Sequence, residues 1–406
     1  PEHVPMDQFP VVDDCLQVGG VPVTRLADRA GGTPFYAYDR GLIEQRVQSL
    51  RDNMPEGLSL HYAIKANPMP ALVQHMAGLV DGFDLASLGE MRVALDTTMS
   101  PRHISFAGPG KRDEELRAAA AAGVTVNLES EGEMERLHHI ARELGIKAKA
   151  AVRVNPDFEL KTSGMKMSGG PKPFGVDAEK VPDMLTRFGQ LSLDFQGFHI
   201  FSGSQNLRAE IITEAHEKTF ELAYRLSQSA PGPVRLLNIG GGLGIPYFPG
   251  EQRIDLKPIA DNLAKILPEA RQRLPEAEFV MELGRYLVGE AGVYVCRIVD
   301  KKISRGEIFL VTDGGLHHHL AASGNFGQVL RKNYPAVIGN KVQGKNRETA
   351  TVVGPLCTPL DLLADKMELA EAEVGDLVVL YQSGAYGLTA SPTAFLSHPP
   401  PGEILV

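Results

Sequence analysis

One lysine stands where its amine could do covalent chemistry. Lys65 lies in the stretch HYAIKANPMP, after a short alternating strand predicted over 58–63 and before an Asn-Pro pair that opens a helix. An amine at the end of a strand can form a Schiff base with an aldehyde, which the guanidinium of an arginine cannot do. A lysine in such a turn is more often a solvated surface residue, so its role depends on the residues that accompany it.

Further polar residues and glycines follow the ends of later predicted strands. They are Asp84 and Ser87 in GFDLASLGE, Arg153 and Asn155 in AVRVNPD, His199 in GFHIFSGSQ, Gly240, Gly241 and Gly242 in NIGGGLG, and Glu282 and Arg285 in MELGRYLVGE. Three glycines after a strand let several backbone N–H groups face one anion. With Arg285 as a cation and Ser204 as a hydroxyl donor they predict a phosphate pocket, although a tight turn explains the glycines about as well. Glu282 could face a pyridinium nitrogen or form an ordinary ion pair with Arg285.

The composition limits the kinds of protein and partner. The 406 residues suffice for two domains, or for one barrel of about 250 residues with an appendage. The 43% apolar and 22% charged residues can fill a sizeable core. The net charge of −9 includes no block of lysine or arginine, which argues against nucleic acid and against an anionic membrane as partners.

Cysteine usage and hydropathy indicate the compartment. Cys15, Cys296 and Cys357 are widely spaced, and they predict neither a disulfide framework nor a zinc site. No apolar run reaches the length of a membrane span, and the first residues, PEHVPMDQFP, lack a basic and then apolar leader. We therefore expect a globular protein of the reducing cytoplasm.

The elements that must position these residues alternate strand and helix. After a first strand at 35–38 and a helix, strands are predicted near 58–63, 82–86, 103–107, 124–128, 148–154, 193–200, 234–239 and 277–282. Helices are predicted over 69–79, 88–97, 113–122, 131–144, 207–229 and 259–273. Eight strand-helix units predict a closed α/β barrel, in which the carboxyl ends of the strands converge on one mouth.

At about residue 286 the sequence pattern changes from alternating strands and helices to mostly strands. Strand-rich, turn-separated segments there predict a second, all-β domain, which the first 33 residues would join as strand and turn. The predicted domains are 34–285 for the barrel and 1–33 with 286–406 for the β-domain. The loop 168–175, SGGPKPFG, is rich in glycine and proline and is expected to lie over the barrel mouth as a lid.

Eight motifs, in order over nearly the whole chain, carry a resemblance to a known family. They are YAIKAN, GFDLASLGE, VRVNPD, GSQ, NIGGGLG, ELGR, GPLC and GAYG. This series resembles the fold type III pyridoxal-phosphate decarboxylases, which include the diaminopimelate, ornithine and arginine decarboxylases. The resemblance implies an alanine-racemase-like (β/α)8 barrel with a C-terminal β-domain, pyridoxal 5'-phosphate as cofactor, and a head-to-tail homodimer with sites at the subunit interface.

The resemblance also implies roles for individual residues. Lys65 matches the Schiff-base lysine, Glu282 the partner of the ring nitrogen, and Cys357 the cysteine that a neighbouring subunit lends to protonate the product carbon. His199 matches the earlier histidine of its motif and is assigned to catalysis with Lys65 and Cys357. The remaining cofactor-binding assignments are the stacking position Phe201, the phosphate contacts Ser204, Gly241, Gly242, Gly284, Arg285 and Tyr386, and the strand-end residues Asp84 and Arg153.

The implied chemistry is loss of a carboxylate. An ionised Glu282 keeps the pyridine nitrogen protonated, so that the ring accepts the electrons left behind when the α-carboxylate departs. A thiol at Cys357 could then return a proton, because a cysteine whose environment shifts its pKa exchanges protons near neutral pH. A lone cysteine is otherwise most often a small buried apolar residue.

Departures from the family pattern bear on the substrate. Where diaminopimelate and ornithine decarboxylases have an acid that holds a distal ammonium, Cys357 is followed by Thr358 and Pro359. The segment 313–335, DGGLHHHLAASGNFGQVLRKNYP, replaces their substrate-wall motif of arginine and tyrosine. Together with GMKMSGGPKPFG and HIFSGSQNL, these features are closer to a branch that includes the decarboxylase of glutamate tethered to an acyl-carrier protein and relatives associated with exosortase and exopolysaccharide gene clusters.

Three adjacent histidines, His317, His318 and His319, suggest a metal site. On an extended segment they would point alternately to opposite faces, so they could not all bind one ion without a sharp turn. We therefore expect a loop in the substrate wall and no metal.

Four functions stay open on the sequence alone. The first is decarboxylation of a carrier-bound or free acidic amino acid, favoured by Thr358. The second is decarboxylation of diaminopimelate or another basic amino acid, favoured by the family as a whole. Racemisation is the third, because the same barrel serves alanine racemase. A non-catalytic binding protein is the fourth, and the presence of Lys65, Glu282 and Cys357 together argues against it.

Overall fold

The computed structural model describes residues 1–160 and 170–406, so Ser168 and Gly169 of the predicted lid lie outside the described residues. By their internal packing the described residues form two compact units. The first unit comprises Pro1–Arg46, Ile245–Arg253 and Arg285–Val406, and the second comprises Val47–Gly244 and Ile254–Gly284. Within these residues no helix has the length and apolar character needed to cross a membrane.

The described strands and helices are numbered in chain order. The strands are β1 (Val11–Val12), β2 (Cys15–Val18), β3 (Val21–Pro22), β4 (Phe35–Tyr38), β5 (Leu58–Ala63), β6 (Gly82–Leu85), β7 (Ile104–Phe106), β8 (Thr125–Leu128), β9 (Ala148–Asn155), β10 (Val176–Asp177), β11 (Leu193–Ile200), β12 (Leu236–Asn238), β13 (Glu278–Leu283), β14 (Gly292–Ser304), β15 (Glu307–Thr312), β16 (Ala336–Ile338), β17 (Arg347–Val353), β18 (Leu362–Ala370), β19 (Leu377–Leu380) and β20 (Gly402–Leu405). The α-helices are α1 (Val23–Arg29), α2 (Arg40–Asn53), α3 (Pro70–Ala77), α4 (Leu88–Leu95), α5 (Asp113–Ala122), α6 (Glu131–Leu144), α7 (Val181–Phe188), α8 (Ala209–Ser227), α9 (Leu256–Arg273) and α10 (Arg285–Val288).

The second unit is a closed parallel barrel. Its strands follow the order β5-β6-β7-β8-β9-β11-β12-β13, and β13 pairs with β5 to close the ring. Strands such as β6 and β8 are buried along their whole length, as expected when parallel strands have helices on one face and a filled interior on the other. The predicted (β/α)8 barrel is confirmed.

Strand pairing brings the predicted site residues to the same end of the barrel. Glu282 on β13 lies opposite His61 on β5, and Asp84 on β6 lies opposite Ala63. On the other side of the ring, His199 on β11 lies opposite Arg153 on β9. Because all eight strands run parallel, these residues all lie toward the carboxyl ends of the strands, a region that we call the carboxyl-end layer of the barrel.

The first unit is built from two sheets. One contains β1, β2 and β3, and the other has the order β16-β19-β14-β15-β17-β18, with β4 paired to both β14 and β20. Their shared core includes Leu16, Phe35, Val293 and Val379, all fully buried. The β-rich domain predicted after residue 286 is confirmed as part of the fold.

The chain before residue 40 differs from the sequence prediction in two respects. Helix α1 lies in a stretch expected to be strand and turn, because Val23, Leu26 and Ala27 bury one helical face in the core of the first unit. Strand β4, which the predicted boundary at residue 34 places with the barrel, hydrogen-bonds to β14 and β20. The domain limits predicted from the sequence, 34–285 and 1–33 with 286–406, stay a prediction.

Candidate active site

Lys65 is held on a short turn that directly follows β5. The turn is one 3-10 segment, Ile64–Ala66, in which Ile64 and Ala66 are buried and Lys65 is exposed. The hydroxyl of Tyr62 donates to the carbonyl of Asn67 at 2.8 Å, and the side chain of Asn67 accepts from the backbone N–H of Met69 at 3.1 Å. The motif YAIKANP therefore fixes the end of the strand and the start of the next helix, which leaves the amine projecting from a rigid turn.

Glu282 is a half-buried anion near the carboxyl end of β13. Its Oε2 lies 3.0 Å from Nε2 of His199. Burial would raise the pKa of Glu282, but the charge and hydrogen bond of His199, followed by the charges of Lys65 and Arg153, lower it to about 2. The carboxylate is therefore ionised at neutral pH.

Asp84 sits in a second buried network of the same barrel layer. Its Oδ1 accepts from Oγ of Ser105 at 2.5 Å and lies 3.1 Å from Nδ1 of His61, while Oδ2 has no hydrogen-bond partner among the described residues. Burial, and then the negative charge of Glu282, raises the pKa of Asp84. Two carboxylates of one layer are thus shifted in opposite directions, a pattern typical of sites that do proton chemistry.

Arg153 is positioned by Glu129, at the end of β8. Its guanidinium donates to Oε2 of Glu129 at 3.1 Å and lies 4.9 Å from the ring centre of Phe174 and 6.0 Å from that of Phe201. Burial would raise the pKa of Glu129, but Arg153 and Lys111 lower it. Arg153 is therefore a fixed cation between a carboxylate and two aromatic rings.

Lys111, in the loop before α5, stabilises the pair formed by Arg153 and Glu129. It is almost completely buried and donates to Oε1 of Glu133 at 2.8 Å and to the carbonyls of Asn127 and Gly108 at 2.7 and 2.9 Å. Because three acceptors hold the amine, it stays in place near Glu129, 3.9 Å away. A buried charge of this kind persists only when it is paired.

The glycine turn after β12 is a compact backbone surface. Gly240 and Gly242 have φ of +69° and +78°, and a Cβ added to Gly241 would come within 2.1 Å of the carbonyl of Glu282. The carbonyl of Gly242 accepts from the N–H of Asn206 at 2.8 Å, which ties the turn to the segment that contains Ser204, an exposed residue. Backbone N–H groups on such a turn suit an anion.

These features fit the cofactor that the resemblance implies. A glycine at 284 lets β13 pass close to the lysine turn, because a Cβ there would lie 3.1 Å from Cβ of Ala66. The layer thus offers an amine at Lys65, an ionised carboxylate at Glu282 and the backbone turn at Gly241 and Gly242. Those groups match the aldehyde, the ring nitrogen and the phosphate of pyridoxal phosphate.

The first unit contains the other predicted residues. Arg285 donates to the hydroxyl of Tyr247 at 3.2 Å, and its guanidinium lies 4.8 Å from the ring centre of Tyr386. Cys357 is exposed on the turn after β17. The turn is fixed by Asp361, whose Oδ1 accepts from the N–H of Leu316 at 2.8 Å and whose Oδ2 accepts from that of Leu356 at 2.9 Å.

The three adjacent histidines are buried in the first unit. Nε2 of His318 lies 2.9 Å from the carbonyl of Pro399, and its Nδ1 lies 3.0 Å from the hydroxyl of Tyr294. Nε2 of His319 lies 2.9 Å from Oγ of Ser383. Burial lowers the pKa of His317 to about 4 and that of His319 to about 3, so both are neutral. In the part of the chain that the structure describes, no group of three or more histidine, cysteine or acidic side chains could hold a metal ion.

Several residues that support the predicted site residues were not themselves predicted. His61, Lys111, Glu129 and Tyr247 carry no motif that marks them. Alternation along β5 does put His61 in phase with Ala63 and Lys65, and this weak signal could have identified it. The others are recognised only from contacts between distant parts of the chain.

A parallel barrel with a lysine at one strand end, an ionised glutamate and a glycine turn defines the class of fold type III pyridoxal-phosphate enzymes. A family model described as "Pyridoxal-dependent decarboxylase, pyridoxal binding domain" matches residues 40–289. The chain belongs to this family of decarboxylases. Its cofactor is pyridoxal phosphate, and it is a carboxy-lyase that acts on an amino acid, as the sequence predicted.

Individual relatives cover most of the chain. L-glutamyl-[BtrI acyl-carrier protein] decarboxylase of Niallia circulans is 36% identical over 379 residues, which are 92% of this chain and 88% of that protein. Diaminopimelate decarboxylase of Aquifex aeolicus is 32% identical over 397 residues, 97% of this chain and 91% of that one. The crystal structure of AQ1208 from Aquifex aeolicus has a TM-score of 0.85 at 30% identity and covers 98% of this chain and 92% of its own.

A more distant structure agrees in fold. Diaminopimelate decarboxylase from M. jannaschii, solved with L-lysine, has a TM-score of 0.88 at 24% identity, over 98% of this chain and 92% of that one. The alanine-racemase-like fold predicted from the motifs is confirmed. The roles of the individual site residues stay predictions.

Proposed function

We propose that this enzyme decarboxylates a glutamyl group, or a similar acidic aminoacyl group, carried on an acyl-carrier protein. The observation that carries the proposal is the uncharged pair Thr358 and Pro359 after Cys357. The relative from Niallia circulans, whose name states this activity, supports it at 36% identity.

The structure of the turn explains why Thr358 matters. Between Gly354 and Asp361 the sequence contains a single carboxylate, that of Asp361. Both of its oxygens accept backbone N–H groups, and only 2% of the residue is exposed, so it cannot receive the ammonium of a basic substrate. The turn offers the exposed thiol of Cys357, the half-buried hydroxyl of Thr358 and the exposed apolar side chain of Leu360. These groups suit an uncharged arm better than a distal cation.

The proposed roles follow from the environments of the residues. When bound, pyridoxal phosphate supplies a ring that accepts the electron pair left by a departing carboxylate. Lys65 offers the amine that attaches it. Glu282, kept anionic by His199, holds a proton on the ring nitrogen. Gly241 and Gly242 donate backbone N–H groups to the phosphate of the cofactor. Further predicted phosphate contacts are Ser204, Gly284, Arg285 and Tyr386. Asp84 and Arg153 are proposed to support the ring, and Phe201 to stack on it.

Cys357 is proposed to act across a homodimer. The Cys357→Ala variant should keep the absorption band of the bound cofactor, but its turnover should slow by about 10²-fold or give a misdirected product, because the protonating thiol is lost. The measurement is carbon dioxide release beside product analysis by mass spectrometry. An unchanged rate would remove Cys357 from the mechanism.

Subunit mixing provides the control for that experiment. If the thiol comes from the neighbouring subunit, mixing Cys357→Ala with Lys65→Ala should restore activity, because one hybrid site then contains both native residues. Cys15→Ala is the matched control, since Cys15 is half-buried and has no proposed role. The predicted cytoplasmic location stays a prediction that cell fractionation would test.

A substrate panel tests the proposed function directly. We expect the cofactor-loaded enzyme to release carbon dioxide from glutamyl carrier protein and glutamyl-pantetheine, with kcat/KM at least about 10²-fold above that for free diaminopimelate, lysine, ornithine, arginine or glutamate. Rapid turnover of free diaminopimelate would instead support the basic-amino-acid alternative, for which the Aquifex aeolicus relative is the precedent. Loss of optical rotation without carbon dioxide would indicate racemisation.

Variants of Thr358 sharpen this comparison. Thr358→Asp should raise activity on free basic amino acids, because it supplies the missing counter-charge, whereas Thr358→Ser should leave the preference as it is. The hydroxyl of Thr358 accepts from the N–H of Leu360 at 3.2 Å, and both replacements can keep that local contact.

A further inference from the structure

A small cavity lies behind the glycine turn of the barrel. Its lining includes Gly203, Gly241 and Gly242 together with Ile212 and His216 of helix α8. The cavity has room for about one water-sized group. It is therefore large enough to admit a single oxygen atom from the side of the glycine turn.

His216 presents an unpartnered imidazole to this cavity. Only 2% of the residue is exposed, and neither Nδ1 nor Nε2 has a hydrogen-bond partner within residues 1–160 and 170–406. Burial lowers the pKa of His216 to about 4, so the ring is neutral and has one N–H donor. A buried polar group without a partner is unfavourable, and a bound water, ion or ligand is one way to satisfy it.

The α8 residues that line the cavity beside His216 offer it no side-chain partner, and the other polar side chains in the lining are those of Ser202 and Asn206. Its neighbours Ile212 and Ala215 in the cavity wall are apolar. Gly241 and Gly242 of the glycine turn also line the cavity, and it is the N–H groups of this turn that we assigned to an anion. The turn is fixed there, because Asn206 donates to the carbonyl of Gly242 and accepts from the N–H of Gly244, both at 2.8 Å.

We propose that His216 is a further phosphate-binding residue of this enzyme. Its N–H donates to one phosphate oxygen of pyridoxal phosphate, and that oxygen occupies the cavity beside Gly241 and Gly242. The proposal rests on the role proposed above for the glycine turn. It adds a side-chain donor from α8 to a site otherwise made of backbone donors, and a hydrogen bond to a charged oxygen is stronger than one between neutral groups.

The test compares binding of pyridoxal phosphate and pyridoxal to the apo-protein by titration calorimetry. His216→Leu should raise the Kd for pyridoxal phosphate by about tenfold or more and leave that for pyridoxal within about twofold, because only the first has the phosphate. Inorganic phosphate alone should also compete less well in this variant. His216→Gln, which keeps an N–H donor, should recover most of the affinity. A parallel loss of both ligands, or no loss of either, would overturn the proposal.

Two controls separate the possible failures. Thr219→Val removes another buried, unpartnered polar group of α8 that does not line the cavity, and it should leave the preference for pyridoxal phosphate intact. If the wild-type protein binds pyridoxal phosphate no more tightly than pyridoxal, the proposed phosphate site at Gly241 and Gly242 is wrong. If the wild type prefers pyridoxal phosphate and His216→Leu keeps that preference, only the role proposed for His216 is wrong. If His216→Leu does not fold, nitrogen-15 NMR spectra of the histidines in the wild-type protein replace it. The signal of His216 is the one absent from His216→Gln, and the proposal requires that added inorganic phosphate shifts this signal.

Discussion

Replacing Lys65 by alanine is expected to abolish covalent attachment of the cofactor and to lower kcat by about 10³-fold or more. The side chain of Lys65 is exposed at the carboxyl end of β5, while the turn around it is fixed by Tyr62 and Asn67. The replacement therefore removes the amine without disturbing the barrel, and the free energy of unfolding should change by less than about 0.5 kcal/mol. Absorbance spectra, borohydride trapping with peptide mass spectrometry and carbon dioxide release measure the three effects.

Lys65→Arg is the matched control for this prediction. Arginine keeps a positive charge close to Glu282, whose pKa the charge of Lys65 helps to lower, but it cannot bond covalently to an aldehyde. Both variants should lack the trapped peptide, and an external amine such as methylamine should restore part of the rate only in Lys65→Ala, where space is left. A normal trapped peptide in either variant would show that another residue is the attachment site.

Glu282→Gln should lower kcat by about 10² to 10³-fold while the cofactor still attaches to Lys65. A neutral amide cannot hold a proton on the ring nitrogen, so the ring loses much of its capacity to accept electrons. The measurement is single-turnover carbon dioxide release at saturating substrate, with the absorption band as the check on loading. Glu90→Gln is a suitable comparison, because Glu90 is a carboxylate of the same unit whose side chain holds the backbone N–H of Ala86 at 2.9 Å and has no proposed role in catalysis.

The pH dependence of Glu282 has a defined sign. Its pKa is lowered from 4.5 to about 2, so the pairing with His199 contributes stability that is fully present above pH 4.5 and is lost as the pH falls toward 2. The acidic limb of the activity profile between pH 5 and 8 should then contain no contribution from Glu282, and Glu282→Gln should lower the curve without moving it. A shift of that limb in the variant would mean that Glu282 titrates near neutrality.

Much of the barrel follows from local sequence patterns. The strands at Leu58–Ala63 and Leu193–Ile200 and the helices at Asp113–Ala122 and Glu131–Leu144 agree with the predicted limits, because apolar periodicity and end signals coincide there. These two helices are each followed by a glycine with positive φ, Gly123 and Gly145 respectively. Helix α7 was not predicted, although its buried residues follow the helical spacing 181, 184, 185 and 188.

The site was less predictable than the fold. Lys65 and Glu282 could be found because each occupies a motif at a strand end. The partners that set their environments could not, since His199 reaches Glu282 from two strands away, and Lys111 stabilises the Glu129 region from a loop before α5. Such pairings depend on which strands become neighbours in the closed ring, and that is decided by tertiary packing.

The pairing of β4 has a consequence for biosynthesis. A ribosome makes Phe35–Tyr38 early, but the strands that flank it, β14 and β20, come from the last third of the sequence. The barrel strands are each close in the sequence to the neighbours they pair with, except where β13 returns to β5. During translation the barrel segments can therefore begin to associate while both edges of β4 are still unpaired. A strand with unpaired edges is a target for chaperones and for aggregation.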